Sequence, residues 1–180
     1  MRAQNNSLIH FNDWTLRVRE ATQTPARLLL MIHGWTGDEN SMWVFARNFQ
    51  PNYLILAPRG LHLAPQGGYS WRPHREGTFG RPSFTEFQDS IGRLIELVDE
   101  YQAEAGMDAG PFDVMGFSQG AAMSNVIACL FPERVRKVGV LAGFMPSGME
   151  EIIAQKPLTG KSVFITHTAY NLMPLFNQNR

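Results

Sequence analysis

The sequence has little cysteine and no excess of charge of either sign. Cys129 is the single cysteine among 180 residues, which excludes an internal disulfide and any metal site built from several cysteines. Lysine and arginine together number 16, as do aspartate and glutamate, so the formal net charge is zero. A nucleic-acid-binding protein would carry a basic excess or a basic stripe. We therefore expect no nucleic-acid partner.

The sequence also lacks a long apolar segment. Its strongest apolar run covers residues 28–32, whereas a helix that crosses a bilayer takes about 20 residues. Residues 1–7 are mostly polar, and no apolar stretch typical of a signal peptide follows them. We therefore expect a cytoplasmic protein with no membrane span. The 44% of hydrophobic residues is sufficient for a single folded domain over residues 1–180.

Short apolar runs alternate with helical patterns along the chain. Partial alternation between residues 8 and 20 predicts one or two early antiparallel strands. Continuous apolar runs predict strands buried on both faces at residues 28–32, 53–57, 112–115, 138–141 and 162–166. Helical spacing is found at residues 41–49, 84–101 and 119–130, the second preceded by a capping box from Ser83 to Glu86. This order predicts an α/β fold with a doubly wound, mostly parallel sheet.

A long segment at residues 59–81 is rich in glycine, proline, histidine and aromatic residues and has no regular periodicity. Long loops of this kind are usually functional or mobile. This one leaves the carboxyl end of a predicted strand, which is where open α/β sheets bind their ligands. We therefore expect it to border the functional site.

A Gly-x-Ser-x-Gly pattern at residues 116–120 lies between a predicted strand and a predicted helix. In that context the chain turns sharply and projects the serine above the sheet, at the start of a helix whose free N–H groups favour negative charge. Ser118 is therefore the predicted nucleophile of an acyl-transfer site. The alternative is a glycine-rich tight turn without chemistry.

A second turn, at residues 33–38, follows the first buried strand. Acyl transfer needs two N–H donors for the oxyanion of its tetrahedral intermediate. The backbone N–H groups of Trp35 and Gln119 are the candidates. The alternative is that His33 and the neighbouring glycines only shape a turn.

With these motifs the chain resembles the phospholipase/carboxylesterase branch of the α/β-hydrolases, the group that includes acyl-protein thioesterases. The likeness rests on four stretches in the family's order: His-Gly-Trp-Thr-Gly-Asp at residues 33–38, Ala-Pro-Arg-Gly at 57–60, Gly-Tyr-Ser-Trp at 68–71 and Gly-Phe-Ser-Gln-Gly at 116–120.

The resemblance implies an α/β-hydrolase fold and a serine ester hydrolase of the carboxylesterase or lysophospholipase type. Such enzymes act on small-molecule esters through an acyl-enzyme, here on Ser118, and use neither cofactor nor metal. Trp35 and Gln119 would supply the oxyanion donors. Trp71 would line the acyl or alcohol pocket, the alternative being a packed aromatic residue that anchors its loop.

The sequence departs from the family where its catalytic acid is expected. The family's pattern there is His-Gly-Thr-x-Asp, whereas His167 and Thr168 lead to Tyr170 or Asn171 at the acid position. The family's histidine follows beyond another strand, and the sequence ends at Arg180. We therefore expect the last strand, the last helix and that histidine to be missing and the activity to be impaired. Truncation, a frameshift and a non-catalytic relic that keeps only the pocket remain open.

Other side chains could replace the missing groups. His167, at the end of a predicted strand, and His74, on the long loop, are candidate bases, although a structural role is more typical of such positions. Glu150 and Glu151 could supply a carboxylate but are more typical of a solvated first helical turn. Without a further strand beside residues 162–166, we also expect self-association through that sheet edge.

Overall fold

The computed structural model of the chain describes residues 6–74 and 82–167. These residues contain nine strands: β1 (Asn6–Phe11), β2 (Trp14–Arg19), β3 (Arg27–Ile32), β4 (Tyr53–Pro58), β5 (His62–Leu63), β6 (Tyr69–Ser70), β7 (Phe112–Phe117), β8 (Val135–Leu141) and β9 (Ser162–Thr166). The same residues contain four α-helices: α1 (Trp43–Ala46), α2 (Gln88–Glu104), α3 (Gln119–Leu130) and α4 (Glu150–Ala154).

In the described residues, the main sheet has the strand order β1-β2-β4-β3-β7-β8-β9. β2 pairs antiparallel with both β1 and β4, and the neighbours from β4 to β9 are parallel. This arrangement confirms the predicted mostly parallel sheet with an antiparallel start. All six residues of β4 are buried, as expected for a strand with helices over both faces.

The two faces of the sheet carry separate layers of apolar side chains. Leu28, Leu30 and Ile32 of β3 pack in the cluster that contains the buried residues of α2 and α3. Leu29 and Met31 pack in the other cluster, with residues of α1 and β4. Successive side chains of a strand point to opposite faces, so β3 contributes to both layers. The sheet is therefore doubly wound.

Helix boundaries follow local signals in the chain. Ser83 and Glu86 form the predicted capping box, in which the Ser83 N–H donates to Glu86 Oε1 at 3.0 Å. It begins a 3₁₀ turn (Phe84–Phe87) that leads directly into α2. Gly106 follows the end of α2 with φ 63°, a left-handed conformation that glycine adopts readily and that ends a helix. α3 has the bounds that the sequence predicts.

Two predictions of secondary structure were wrong in extent. The helix predicted at residues 41–49 is only the single turn of α1, whose β-branched and aromatic residues are weak helix formers. The segment predicted as an irregular loop contains the β5–β6 hairpin, which turns through Gly67 and Gly68 at φ 91° and 71°. Residues 75–81 of that segment lie outside the described residues.

The described helices include none that is long and apolar enough to cross a membrane. Residues 168–180 lie outside the described part of the chain. The expectation of a missing last strand and helix, and the acid position at Tyr170 or Asn171, therefore concern residues that are not described.

Arg19 stabilises the junction between β2, α1 and β4 from inside the protein. Its side chain is buried, and its guanidinium donates to the carbonyl oxygens of Ala46 at 2.6 Å and Gln50 at 2.9 Å. Longer contacts reach the carbonyl oxygens of Phe49 at 3.3 Å and Tyr53 at 3.4 Å. Burial lowers the pKa of Arg19 below its usual range. The guanidinium thus provides donors for carbonyl groups where α1 ends.

We expect Arg19→Met to lower the free energy of unfolding by about 3 kcal/mol, because several carbonyl groups then lose a charged donor. Urea unfolding with unchanged slope would measure this loss. Arg134→Met is the matched control, because Arg134 pairs with the half-exposed Asp99 near the surface. The control should lose no more than about 1 kcal/mol. Equal losses in the two variants would contradict the role given to Arg19.

β9 is the edge strand of the sheet in the described residues. All five of its residues are exposed, including Val163, Phe164 and Ile165. Edge strands are usually protected by lysine, proline or a bulge. Lys161 and Pro157 precede this strand, but neither lies within it. Self-association through this edge therefore stays a prediction.

Light scattering at micromolar concentrations should detect dimers or larger species of the 180-residue chain. Phe164→Lys should reduce the association, because it places a charge on the exposed strand. Leu63→Lys is the control, since Leu63 is 76% exposed but belongs to the β5–β6 hairpin. A monodisperse monomer, or an equal response of the two variants, would contradict association through β9.

Candidate active site

Ser118 lies on the turn between β7 and α3, as the sequence predicts. Its backbone is left-handed, with φ 51° and ψ −111°, a conformation that costs a residue with a side chain about 1–3 kcal/mol. The Ser118 N–H donates to the Leu141 carbonyl at 2.9 Å, and the Ser118 carbonyl accepts from the Ala122 N–H at 3.0 Å. The side chain is half-buried. The ends of β7 and β8 therefore hold the serine in a strained position at the start of a helix.

The glycines on either side of Ser118 are required by backbone packing. A Cβ at Gly116 would lie 2.1 Å from the carbonyl oxygen of Gly120. A Cβ at Gly120 would lie 2.1 Å from the carbonyl oxygen of Ile32. Both distances are far below van der Waals contact. The start of α3 therefore packs directly against the end of β3.

The turn after β3 contacts the serine. β3 and β7 are parallel neighbours, with Ile32 opposite Gly116. A Cβ at Gly34 would lie 3.3 Å from the Ser118 Cβ. Trp35 follows Gly34 and is half-buried. The two turns that carry the predicted oxyanion donors are thus adjacent, and the convergence of the Trp35 and Gln119 N–H groups on one oxyanion stays a prediction.

Left-handed residues other than glycine occur after three neighbouring parallel strands. Thr36 has φ 62° in the turn after β3, Ser118 has φ 51° after β7, and Ala142 has φ 50° after β8. The Ala142 N–H donates to the Thr166 carbonyl of β9 at 2.8 Å. Strained backbone of this kind clusters at functional sites. Three of the five such residues in the described part of the chain lie at the carboxyl edge of the sheet, where α/β folds bind ligands, and the other two are Asn12 and Lys156.

His33 is fully hydrogen-bonded inside the protein. Its Nδ1–H donates to the Gly34 carbonyl at 2.7 Å, and its Nε2 accepts the Gly60 N–H at 2.9 Å. Burial lowers the pKa of the His33 imidazole, which keeps the ring neutral. The ring shapes the turn after β3, and neither nitrogen is available as a base for Ser118.

Gln119 and Trp71 connect the long loop to the start of α3. The Trp71 N–H donates to Gln119 Oε1 at 2.9 Å, and the Trp71 indole Nε1–H donates to the His33 carbonyl at 2.9 Å. The Trp71 side chain has 0% exposure. No surface of the ring is exposed in this structure, and the prediction that Trp71 lines a substrate pocket stays a prediction. Its contacts match the alternative of a loop anchor.

The long loop and the turn after β3 are also joined at their outer ends. The Tyr69 N–H donates to the Gly37 carbonyl at 2.9 Å. Arg59 pairs with the buried Glu39 through two hydrogen bonds of 2.8 and 3.0 Å, and this contact lowers the pKa of Glu39. Sequence reasoning missed the role of Glu39. Its only signal was the position of an acidic residue beside a glycine-rich turn.

Phe117 is a second residue that sequence reasoning missed. It directly precedes Ser118 and is 47% exposed. Its ring edge approaches Gly34, where a Cβ would lie 3.0 Å from Phe117 Cδ1. Exposed large apolar side chains beside a reactive group provide surface for an apolar ligand. Phe117 therefore forms an apolar wall next to Ser118.

The alternative bases and acids are exposed side chains. His74 is exposed, and its ring centroid lies 6.1 Å from that of Trp35. His167 is exposed and follows β9. Glu150 and Glu151 are exposed in the first turn of α4, as a solvated helix start requires. Within residues 6–74 and 82–167, no side chain hydrogen-bonds to the Ser118 hydroxyl.

The described residues contain no group of three or more histidine, cysteine or acidic side chains that could hold a metal ion. Cys129 is buried on α3, and burial raises the pKa of its thiol. A thiol that stays protonated is a poor nucleophile. Cys129 therefore has a packing role in the apolar cluster of α3.

Comparison with curated proteins finds acyl-protein thioesterases. The chain is 32% identical over 81 residues to acyl-protein thioesterase 1 of Yarrowia lipolytica, covering 44% of this chain and 35% of that protein. It is 23% identical over 148 residues to acyl-protein thioesterase 1 of Saccharomyces cerevisiae, covering 72% of this chain and 63% of that protein. The chain thus spans less than two thirds of the length of either relative.

Solved structures share the fold at low sequence identity. The Bacillus cereus carboxylesterase superposes with a TM-score of 0.69 at 16% identity, covering 87% of this chain and 85% of that chain. The Zea mays acyl-protein thioesterase 2 superposes with a TM-score of 0.65 at 18% identity, covering 84% and 74%. The fold is that of the α/β-hydrolases. Residues 15–175 match the family described as Phospholipase/Carboxylesterase, and the chain therefore belongs to this family.

Proposed function

We propose that the protein is a serine hydrolase of carboxylic esters or thioesters that acts through an acyl-enzyme on Ser118. The observation that carries the proposal is the left-handed backbone of Ser118, on a tight turn at the start of α3 and against the turn of Gly34. Glycine would adopt that backbone without strain. A serine there is consistent with a position selected for its hydroxyl. Family membership supports the same chemistry.

In the proposed reaction, Ser118 Oγ attacks the acyl carbon and its proton passes to a base. The tetrahedral oxyanion accepts hydrogen bonds from the Trp35 and Gln119 N–H groups and is favoured by the dipole of α3. The C–O or C–S bond then breaks, and the alcohol or thiol leaves with a proton. Water adds to the acyl carbon, which releases the acid and restores Ser118.

The exposed ring of Phe117 favours substrates with an apolar group next to the reacting carbon, because a polar substrate would gain nothing from that wall. We propose a small-molecule ester with such an acyl or alcohol part. The relatives named acyl-protein thioesterase suggest that thioesters are also substrates.

Among the described residues, no base is hydrogen-bonded to Ser118. Catalytic contacts of this kind often tighten only when a substrate binds. This observation nevertheless favours a second candidate, a binding module that keeps the pocket but not the chemistry. The two candidates differ in whether Ser118 becomes acylated.

We expect the purified 180-residue chain to be acylated at Ser118 by p-nitrophenyl acetate, but to turn over slowly. Oxyanion stabilisation and binding alone accelerate such reactions by about 10³–10⁴-fold over water. Intact-mass spectrometry would detect the acetyl adduct, and absorbance would follow p-nitrophenol release. Ser118→Ala should abolish both signals above the rate in buffer.

Ser124→Ala is the matched control, because Ser124 is a buried serine of α3, the helix that follows Ser118, and its hydroxyl donates to the Gly120 carbonyl. It should be acylated like the wild type. Absence of the adduct in the wild type, with the fold intact, would support the binding module. Rapid turnover that is lost in both Ser118→Ala and His167→Ala would identify His167 as the base and contradict the expected impairment.

A further inference from the structure

Trp71 is bound through three different polar groups. Its backbone N–H donates to Gln119 Oε1 at 2.9 Å, and its indole N–H donates to the His33 carbonyl at 2.9 Å. Its own carbonyl accepts the Ser90 hydroxyl of α2 at 2.6 Å. The ring also packs on the His33 imidazole, with 4.9 Å between centroids. The long loop is thus attached to both turns of the site and to α2 through one residue.

We propose that Trp71 is a positioning residue that aligns the two oxyanion donors, a role that rests on the proposed function. The donors belong to different turns, one after β3 and one at the start of α3. Trp71 bonds to His33 on the first side and to Gln119 on the second. Its indole touches neither substrate nor reacting atoms, because it has no exposed surface.

Two successive peptide planes determine the direction of the first donor. The Trp35 N–H belongs to the same planar peptide as the Gly34 carbonyl, and that carbonyl accepts from His33 Nδ1 at 2.7 Å. The preceding peptide is held at its carbonyl by the Trp71 indole. Gly34 lies between the two planes and, lacking a side chain, imposes little preference of its own. The Gly34 carbonyl also accepts the Gly37 N–H at 3.0 Å. The direction of the Trp35 N–H is therefore set by His33 and Gly37 within its own turn and by Trp71 at the preceding peptide.

The second donor is the Gln119 N–H, in the first residue of α3. The Gln119 side chain is buried, and its Oε1 accepts from the Trp71 backbone N–H. Ser70, next to Trp71, also lies within hydrogen-bond distance of the Gln119 amide, at 3.3 and 3.4 Å. The Gln119 side chain thereby anchors the loop. A shift of Trp71 would move both donors relative to each other.

The test compares Trp71→Phe with Trp14→Phe in their reaction with a fluorophosphonate, which labels an activated serine. Trp14 is buried beside Trp71, with 6.5 Å between ring centroids. It has no hydrogen bond to either turn among the described residues. Both changes remove similar volume from the same aromatic group. Only Trp71→Phe removes the indole donor to His33.

We expect the labelling rate of Ser118 to fall about tenfold in Trp71→Phe, because misaligned donors should cost the transition state about one neutral hydrogen bond. In Trp14→Phe it should stay within about twofold of the wild type. Ser90→Ala is a milder second variant, which removes the donor to the Trp71 carbonyl, and should lower the rate about threefold. Equal rates in Trp71→Phe and Trp14→Phe at matched thermal stability would overturn the proposal.

Amide hydrogen exchange gives a readout that does not need activity. The N–H groups of Gly60 and Tyr69 bond to His33 and Gly37, so they report on the attachment of the loop to the first turn. Their protection should fall about tenfold relative to Leu30 of β3 in Trp71→Phe, but not in Trp14→Phe. If the wild type is not labelled at Ser118, the proposed function fails, and exchange still shows whether Trp71 holds the loop against the first turn, which the positioning role requires. Unchanged protection in Trp71→Phe would overturn it.

Discussion

At the start of α3 the backbone lies so close to β3 that a Cβ on Gly120 would stand 2.1 Å from the Ile32 carbonyl oxygen. The rest of the site depends on this contact. Because the helix begins against the end of β3, the chain must turn sharply after Phe117, and Ser118 takes the left-handed conformation that the turn requires. The same contact brings Gly34 beside Ser118. The positions of the predicted nucleophile and of the predicted oxyanion turn are therefore set by one backbone packing arrangement.

The long loop keeps that arrangement in place through buried polar contacts. A buried polar group without a partner is unfavourable, so each of these contacts is also a constraint on the loop. His33 bonds to Gly60, Trp71 bonds to His33 and Gln119, and Glu39 bonds to Arg59. The loop thus acts as a support behind the two turns. The exposed surface next to Ser118 comes instead from Phe117 and from the half-buried Trp35.

Most of the sheet and the position of Ser118 could be predicted from the sequence, because both depend on local patterns. Apolar runs mark β3, β4 and β7, and a serine between two glycines after a strand marks the turn. The roles of Trp71 and Arg19 could not be predicted in this way. The role of Trp71 depends on contacts with His33 and Gln119, which are 38 and 48 positions away in the chain. The role of Arg19 depends on carbonyl groups that are 27 to 34 positions away. Such contacts exist only after the sheet has formed, and no spacing in the sequence encodes them.

The central claim is that the turns after β3 and β7 form one oxyanion site beside Ser118. A crystal structure of the chain with a phosphonate covalently bound to Ser118 tests it most directly. The account predicts one phosphonyl oxygen within about 3 Å of both the Trp35 and the Gln119 backbone nitrogens. A phosphonyl oxygen that points to solvent, or nitrogens more than about 7 Å apart, would contradict it, because no single oxygen could then accept from both donors.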